Sequence, residues 1–178
     1  MLELVVGPMR SGKSKYLLDR IQTGRETVVA VPVGTERGFF TRDTTGETLL
    51  NLDGLQLVTF VRPQELLGWS RFDLVLVDEV QLVPDGEGLL EALRLLSTRT
   101  AVIAAGLDLD ANGVPFGTVA ALQAVADTVT VLTADCRCGR VASRTRRLTP
   151  WAGSPVGDAD YEPTCDGCWR PVPVSDGG

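Results

Sequence analysis

The 178-residue chain contains no histidine, so any general base or metal ligand must be another residue type. Cations are scarce as well. Lysine and arginine total 17 against 23 aspartates and glutamates, a formal net charge of -6. That balance argues against a broad nucleic-acid or anionic-membrane surface, where clustered basic residues interleaved with aromatics are expected. A small anionic ligand in a local pocket stays compatible. No apolar run approaches membrane-spanning length, and no positively charged leader precedes the short apolar run Leu2 to Val6. Both point to a cytoplasmic protein. Only four cysteines occur, all between 136 and 168, and in a reducing compartment they read as metal ligands rather than disulfides. The length and the 44% hydrophobic content suit one compact domain with a small appendage.

Gly7-Pro8-Met9-Arg10-Ser11-Gly12-Lys13-Ser14 matches the phosphate-loop pattern G-x-x-x-x-G-K-[ST] at every fixed position. It follows the apolar run Leu2 to Val6 and precedes Lys15 to Ile21, where Tyr16, Leu17, Leu18 and Ile21 recur at helical spacing. Glycines at 7 and 12 let backbone N–H groups turn toward phosphate oxygens at the positive end of a helix. Lys13 brings a point charge for the β and γ phosphates of ATP, and Ser14 a hydroxyl for Mg²⁺. Met9, Arg10 and Ser11 fill the variable positions.

Further apolar strands are predicted over Glu26 to Val33, Leu55 to Phe60, Phe72 to Val77, Thr100 to Ala105 and Thr128 to Thr133. Helical segments are predicted over Pro63 to Leu67, Leu89 to Leu96 and Val119 to Ala126. This alternation predicts an α/β fold, a parallel sheet of phosphate-loop NTPase type with helices on both faces. The apolar run up to Val77 ends in Asp78-Glu79. A buried strand can so deliver Asp78 to the Mg²⁺ shell while Glu79 faces the substrate. The polar stretch Thr35 to Glu47 reads as a loop, either mobile beside the nucleotide or a plain exposed connection.

Composition changes after residue 133. Cys136-Arg137-Cys138 and Cys165-Asp166-Gly167-Cys168 enclose 26 residues, 139 to 164. Two close pairs suit a closed, structural Cys₄ zinc site; buried or redox-active thiols are the alternative. The expected organisation is a nucleotide-binding α/β domain over 1–133, a zinc-binding lobe carrying a ligand loop over 134–170, and a flexible tail over 171–178.

Taken together, the motifs resemble the cytosolic type II thymidine kinases. Gly7-Pro8-Met9-Arg10-Ser11-Gly12-Lys13-Ser14 is similar to that family's G-P-M-F-S-G-K-[ST], and Asp78-Glu79-Val80-Gln81 to its D-E-[AG]-Q. Ala105 to Asp110 with Pro115-Phe116-Gly117 is similar to A-G-L-D-x-D-F-x-x-x-P-F-G. Cys136 to Leu148 and Tyr161 to Cys168 are similar to the family's two cysteine segments.

The resemblance implies transfer of the γ-phosphate of ATP to the 5′-hydroxyl of thymidine or deoxyuridine, with Glu79 as base. It also places Gln81 and Arg37 among the nucleotide-binding residues, and Met9, Leu107, Phe116, Thr133 and Tyr161 around the nucleoside base. It further implies a homo-oligomer, commonly a tetramer, and inhibition by thymidine triphosphate. Arg10, Leu82 and Ala111 stand where the family usually has phenylalanine, and the loop 149–160 is unlike its counterpart. A pocket with less aromatic bulk and weaker discrimination between bases is therefore expected. A phosphate-loop ATPase without a nucleoside acceptor, or a zinc-ribbon module switched by ATP, would each explain part of these residues. Leu107 and Phe116 would equally serve as core residues.

Overall fold

The computed structural model describes residues 1–35, 39–41, 44–45, 54–148 and 160–171. Arg37, the loop 149–159 and the tail beyond 171 lie outside the described residues. Six parallel strands form the main sheet: β1 (Leu2–Val6), β2 (Thr27–Pro32), β5 (Leu55–Phe60), β6 (Leu74–Val77), β7 (Ala101–Gly106) and β8 (Thr128–Val131). Their order across the sheet is β5-β2-β6-β7-β1-β8. Strands β1 and β6 are buried at every position. Burial on both faces is why they read as unbroken apolar runs rather than alternating ones.

Alternation still decides which wall each side chain builds. Leu2, Leu4 and Val6 of β1, with Val75 and Val77 of β6, face one core cluster; Val5, Leu74 and Leu76 face the other. The first cluster packs beneath α2 (Gly86–Ser97) and α3 (Gly117–Val125). Helix α2 buries Leu89, Ala92, Leu93 and Leu96, one apolar stripe at helical spacing. Its N-terminus is capped by Asp85, whose carboxylate accepts the Gly88 N–H at 2.9 Å. The opposite wall is covered by α1 (Lys13–Leu18), which inserts Leu17 with Tyr16, Leu18 and Ile21 alongside. Tyr16 donates its hydroxyl to Glu3 Oε1 at 2.6 Å, and Thr130 donates to the same oxygen at 3.0 Å. The buried carboxylate of β1 is thereby satisfied while it ties α1 to β8.

Several boundaries differ from expectation. Helix α1 begins at Lys13 itself, since the phosphate loop leads directly into it, and it ends at Leu18, earlier than predicted. The helical segment predicted from Pro63 is a 3₁₀ helix and runs on to Trp69. Within the stretch read as a loop, β3 (Phe39–Thr41) and β4 (Thr44–Thr45) pair antiparallel. Backbone pairing needs no apolar periodicity, so the sequence carried no sign of it. Four short strands follow the main sheet: β9 (Ala134–Asp135) pairs with β10 (Val141–Ala142), and β11 (Arg144–Arg147) with β12 (Tyr161–Thr164). Among the described residues no helix is long and apolar enough to cross a membrane.

Candidate active site

The carboxyl ends of β1, β6, β7 and β8 lie side by side, so the segments beginning at Gly7, Asp78, Leu107 and Leu132 emerge at one edge of the sheet. Parallel sheets of this kind bind ligands there. Gly7 has φ 151°, and a Cβ on it would stand 2.4 Å from the Leu132 carbonyl oxygen. Only glycine fits between the loop and the end of β8. Gly12 takes the left-handed conformation, φ 86°, at the N-cap of α1, which glycine adopts without strain. Arg10, at the loop tip, is also left-handed with φ 61°, a conformation unfavourable for a side-chain-bearing residue. The Lys13 ammonium is buried over the loop, donating to Gly7 O at 3.0 Å and Pro8 O at 2.7 Å. Its charge is thus held against the carbonyls of the loop itself.

Ser14 and Asp78 meet across the sheet edge. The Ser14 hydroxyl donates to Asp78 Oδ2 at 2.6 Å, and the Glu79 N–H donates to Asp78 Oδ1 at 2.9 Å. Burial raises the Asp78 carboxyl to about 6 from its ordinary 3.8, with the Glu79 charge adding to the rise; the hydrogen bonds from Ser14 and the Glu79 N–H and the charge of Lys13 act against it. A buried, acidic oxygen paired with a hydroxyl at a phosphate loop suits a hard cation such as Mg²⁺, which prefers oxygen ligands.

Glu79 follows in a left-handed conformation, φ 56° and ψ 36°. Gln81 donates through Nε2 to Glu79 Oε2 at 2.6 Å and accepts the Leu107 N–H on Oε1 at 3.1 Å. The structure so joins Ser14, Asp78, Glu79, Gln81 and Leu107 in one hydrogen-bonded chain. Leu107 is half-buried at the head of a loop in which Asp110 Oδ1 accepts the N–H groups of Asn112 and Val114 at 2.9 and 2.7 Å.

Met9 is half-buried, and its N–H donates to Thr145 Oγ1 at 3.0 Å. Tyr161 starts β12 opposite Arg147, whose guanidinium stands 5.3 Å from the ring centroid. Phe116 packs against the large cluster beneath α2 and α3. Thr133 is exposed between β8 and β9. Neither Phe116 nor Thr133 belongs to the hydrogen-bonded chain just described.

Sequence reading passed over Thr145 and Trp169. Thr145 is buried and bonded to the phosphate loop, and it lies within the first cysteine segment, Cys136 to Leu148. Trp169 donates its indole N–H to Ala111 O at 3.2 Å and carries the Arg144 guanidinium 4.8 Å from its ring centroid. The signal available for it was its place immediately after the last cysteine.

The four cysteine sulfurs of 136, 138, 165 and 168 lie within 4.8 Å of one another. Cys138 Sγ is 3.5 Å from Cys136 Sγ and 3.7 Å from Cys165 Sγ. A tetrahedral zinc with bonds near 2.3 Å needs sulfurs about 3.8 Å apart, so the donor set could hold zinc, the C-x-C pair included. Arg140 donates to Cys138 Sγ at 3.4 Å and to Cys168 Sγ at 3.8 Å. The Arg140 contact heads the causes that bring the Cys138 thiol down to about 6, while the hydrogen bonds that the Cys168 thiol donates to Cys138 and Cys165 push Cys168 up to about 11. A site that favours thiolate at Cys138 is prepared for a cation.

A family profile described as thymidine kinase matches residues 1–169. A thymidine kinase of Pyrobaculum aerophilum is 36% identical over 185 aligned positions, covering 93% of this chain and 96% of the relative. The match takes in both the phosphate loop and the cysteine lobe, so an ATPase or an ATP-switched zinc ribbon, each explaining one part, is not favoured. With the hydrogen-bonded corner at Asp78-Glu79 and the thiol cluster both inside the matched region, the chain belongs to the thymidine kinase family.

Proposed function

We propose that this kinase transfers the γ-phosphoryl group of Mg-ATP to the 5′-hydroxyl of thymidine or deoxyuridine. The observation that carries the reading is the chain Ser14–Asp78–Glu79–Gln81–Leu107 beside an intact phosphate loop. Backbone N–H groups of Gly12, Lys13 and Ser14 and the Lys13 ammonium hold the β and γ phosphates. Ser14 and Asp78 hold the Mg²⁺, which when bound neutralises charge on the transferred group. Glu79 accepts the hydroxyl proton as the nucleoside oxygen bonds to phosphorus and ADP leaves with the electron pair of the broken bond. Positioning and charge neutralisation do most of the work in such a loose transition state.

Met9, Leu107 and Tyr161 hold the base, with Phe116 and Thr133 assigned to the pocket by motif, and Arg37 acts near the phosphates on the same ground. Zinc on Cys136, Cys138, Cys165 and Cys168 folds the lobe without entering the chemistry, because four sulfurs leave no open position. A cytoplasmic homo-oligomer, tetrameric in the manner of the family and inhibited by thymidine triphosphate, completes the proposal, with neither nucleic acid nor membrane as partner. ADP formation measured with and without a panel of nucleosides tests it. Nucleoside-dependent turnover favouring thymidine is expected; equal turnover without any nucleoside would replace the kinase with an ATPase.

A further inference from the structure

Gln81 lies in the 3₁₀ turn Val80–Leu82 immediately after Glu79, and both ends of its amide are engaged inside the protein. The amide orientation follows from chemistry. An ionised carboxylate only accepts and a backbone N–H only donates, so one of the two orientations satisfies Glu79 and Leu107 together. A bond from an amide to a carboxylate is charge-assisted and stronger than a neutral one. The Glu79 backbone is pinned separately: its N–H donates to Asp78 Oδ1 at 2.9 Å and its carbonyl accepts the Leu82 N–H at 2.9 Å. With the backbone held in a left-handed conformation, the contact with Gln81 fixes one oxygen of the carboxylate, Oε2.

The seat for the amide is built by the end of β7. A Cβ on Gly106 would stand 2.7 Å from Gln81 Oε1 and 2.8 Å from Val80 Cγ2. Space, not backbone conformation, demands glycine at that position. Residues on two different strand ends are thus shaped around one side chain that touches the base on one side and the loop starting at Leu107 on the other.

We infer that Gln81 is a positioning residue, a clamp that holds the Glu79 carboxylate in register with the Leu107 loop. The inference rests on the reading of Glu79 as the proton acceptor. It differs from a nucleotide-binding role for Gln81, because a clamp acts on transfer and a ligand acts on ATP affinity. Small misplacements of a catalytic group lower turnover steeply, by up to about a hundredfold for an error near 1 Å.

Steady-state kinetics with Mg-ATP varied at saturating thymidine separate the two roles. Gln81→Met keeps the length and removes donor and acceptor, and kcat should fall roughly tenfold while KM for ATP changes less than about twofold. Gln81→Glu keeps an acceptor for the Leu107 N–H but places a carboxylate against Glu79, and kcat should fall further. Gly106→Ala, whose Cβ would displace the amide while Glu79 and Gln81 keep their identity, should reproduce the split seen in Gln81→Met. In a Glu79→Gln background the Gln81→Met change should add no further loss, since the clamp then has no base to hold. A raised KM for ATP with normal kcat in Gln81→Met would make Gln81 a nucleotide ligand and overturn the clamp. So would a full multiplicative loss in the double variant. A normal loss in Glu79→Gln with unchanged kcat in Gln81→Met overturns the clamp alone, whereas unchanged turnover in Glu79→Gln itself overturns the assignment of the base and the clamp with it.

Discussion

Met9 of the phosphate loop donates its backbone N–H to the hydroxyl of Thr145 at 3.0 Å, joining residues 136 positions apart. Thr145 is 3% exposed and Met9 half-buried, so the bond is partly shielded and its loss leaves a donor without an equivalent protein partner. Thr145→Val preserves shape and removes the acceptor. A loss of about 1–3 kcal/mol of stability is expected, together with weaker ATP binding as the loop loosens. Thermal unfolding with and without ATP checks both, and Thr145→Ser should restore them.

Glu79→Gln should lower kcat by roughly two orders of magnitude or more, the usual size of a general-base contribution, with ATP affinity retained. Lys13→Ala should instead weaken both ATP binding and transfer, because its charge acts on the bound phosphates before and during the reaction. Isothermal titration with ATP beside steady-state kinetics distinguishes the two patterns.

The raised Asp78 carboxyl predicts an opposing pH dependence of fold and metal. A folded-state value of about 6 above the ordinary 3.8 means that the folded chain holds this proton more tightly than the unfolded one. Its contribution to stability is fully present below 3.8 and is lost as pH rises through about 6. The loss is on the order of 2–3 kcal/mol. Asp78→Asn should flatten that part of the stability profile. Mg²⁺ competes with the same proton, so its stabilising effect on the wild-type protein should grow from pH 5 to pH 7.5, measured by thermal unfolding with and without the metal.

Purified protein should contain about one zinc per chain, in keeping with a Cys₄ site. Elemental analysis reads this directly. Chelation should unfold the segment around β9–β12 and, through Thr145 and Met9, weaken ATP binding. Folded and active protein with no zinc would remove the metal from the picture.

Ala111 and Leu82 carry no ring, and a pocket that lacks an apolar contact typically loses about 1–3 kcal/mol of discrimination per missing group. Thymidine and deoxyuridine should therefore both be phosphorylated, with only a modest preference for the 5-methyl group. Ratios of kcat/KM for thymidine, deoxyuridine, deoxycytidine and deoxyguanosine measure it. A preference for deoxyguanosine would place the acceptor outside the pyrimidines.

Much of the nucleotide half was legible from the chain alone. The phosphate-loop pattern is eight consecutive residues, so Gly7, Gly12, Lys13 and Ser14 could be picked out from the chain, and the structure sets them between the end of β1 and the start of α1. Apolar runs such as Leu74–Val77 announced buried parallel strands because both faces are covered, and the two cysteine pairs announced a cluster of four sulfurs that could hold a metal, because close spacing restricts where the sulfurs can go. What tertiary structure alone decided are relationships between residues far apart in sequence. Nothing in the order of residues tells that Thr145 meets Met9, that Gln81 reaches Leu107, that Trp169 closes on Ala111, or that Phe116 packs with the helices above the sheet. Each depends on strand order and on the turn that follows a strand. A polar side chain's partner is set by which chain segment burial brings within about 3 Å, and that is a property of the packed sheet rather than of any stretch along it.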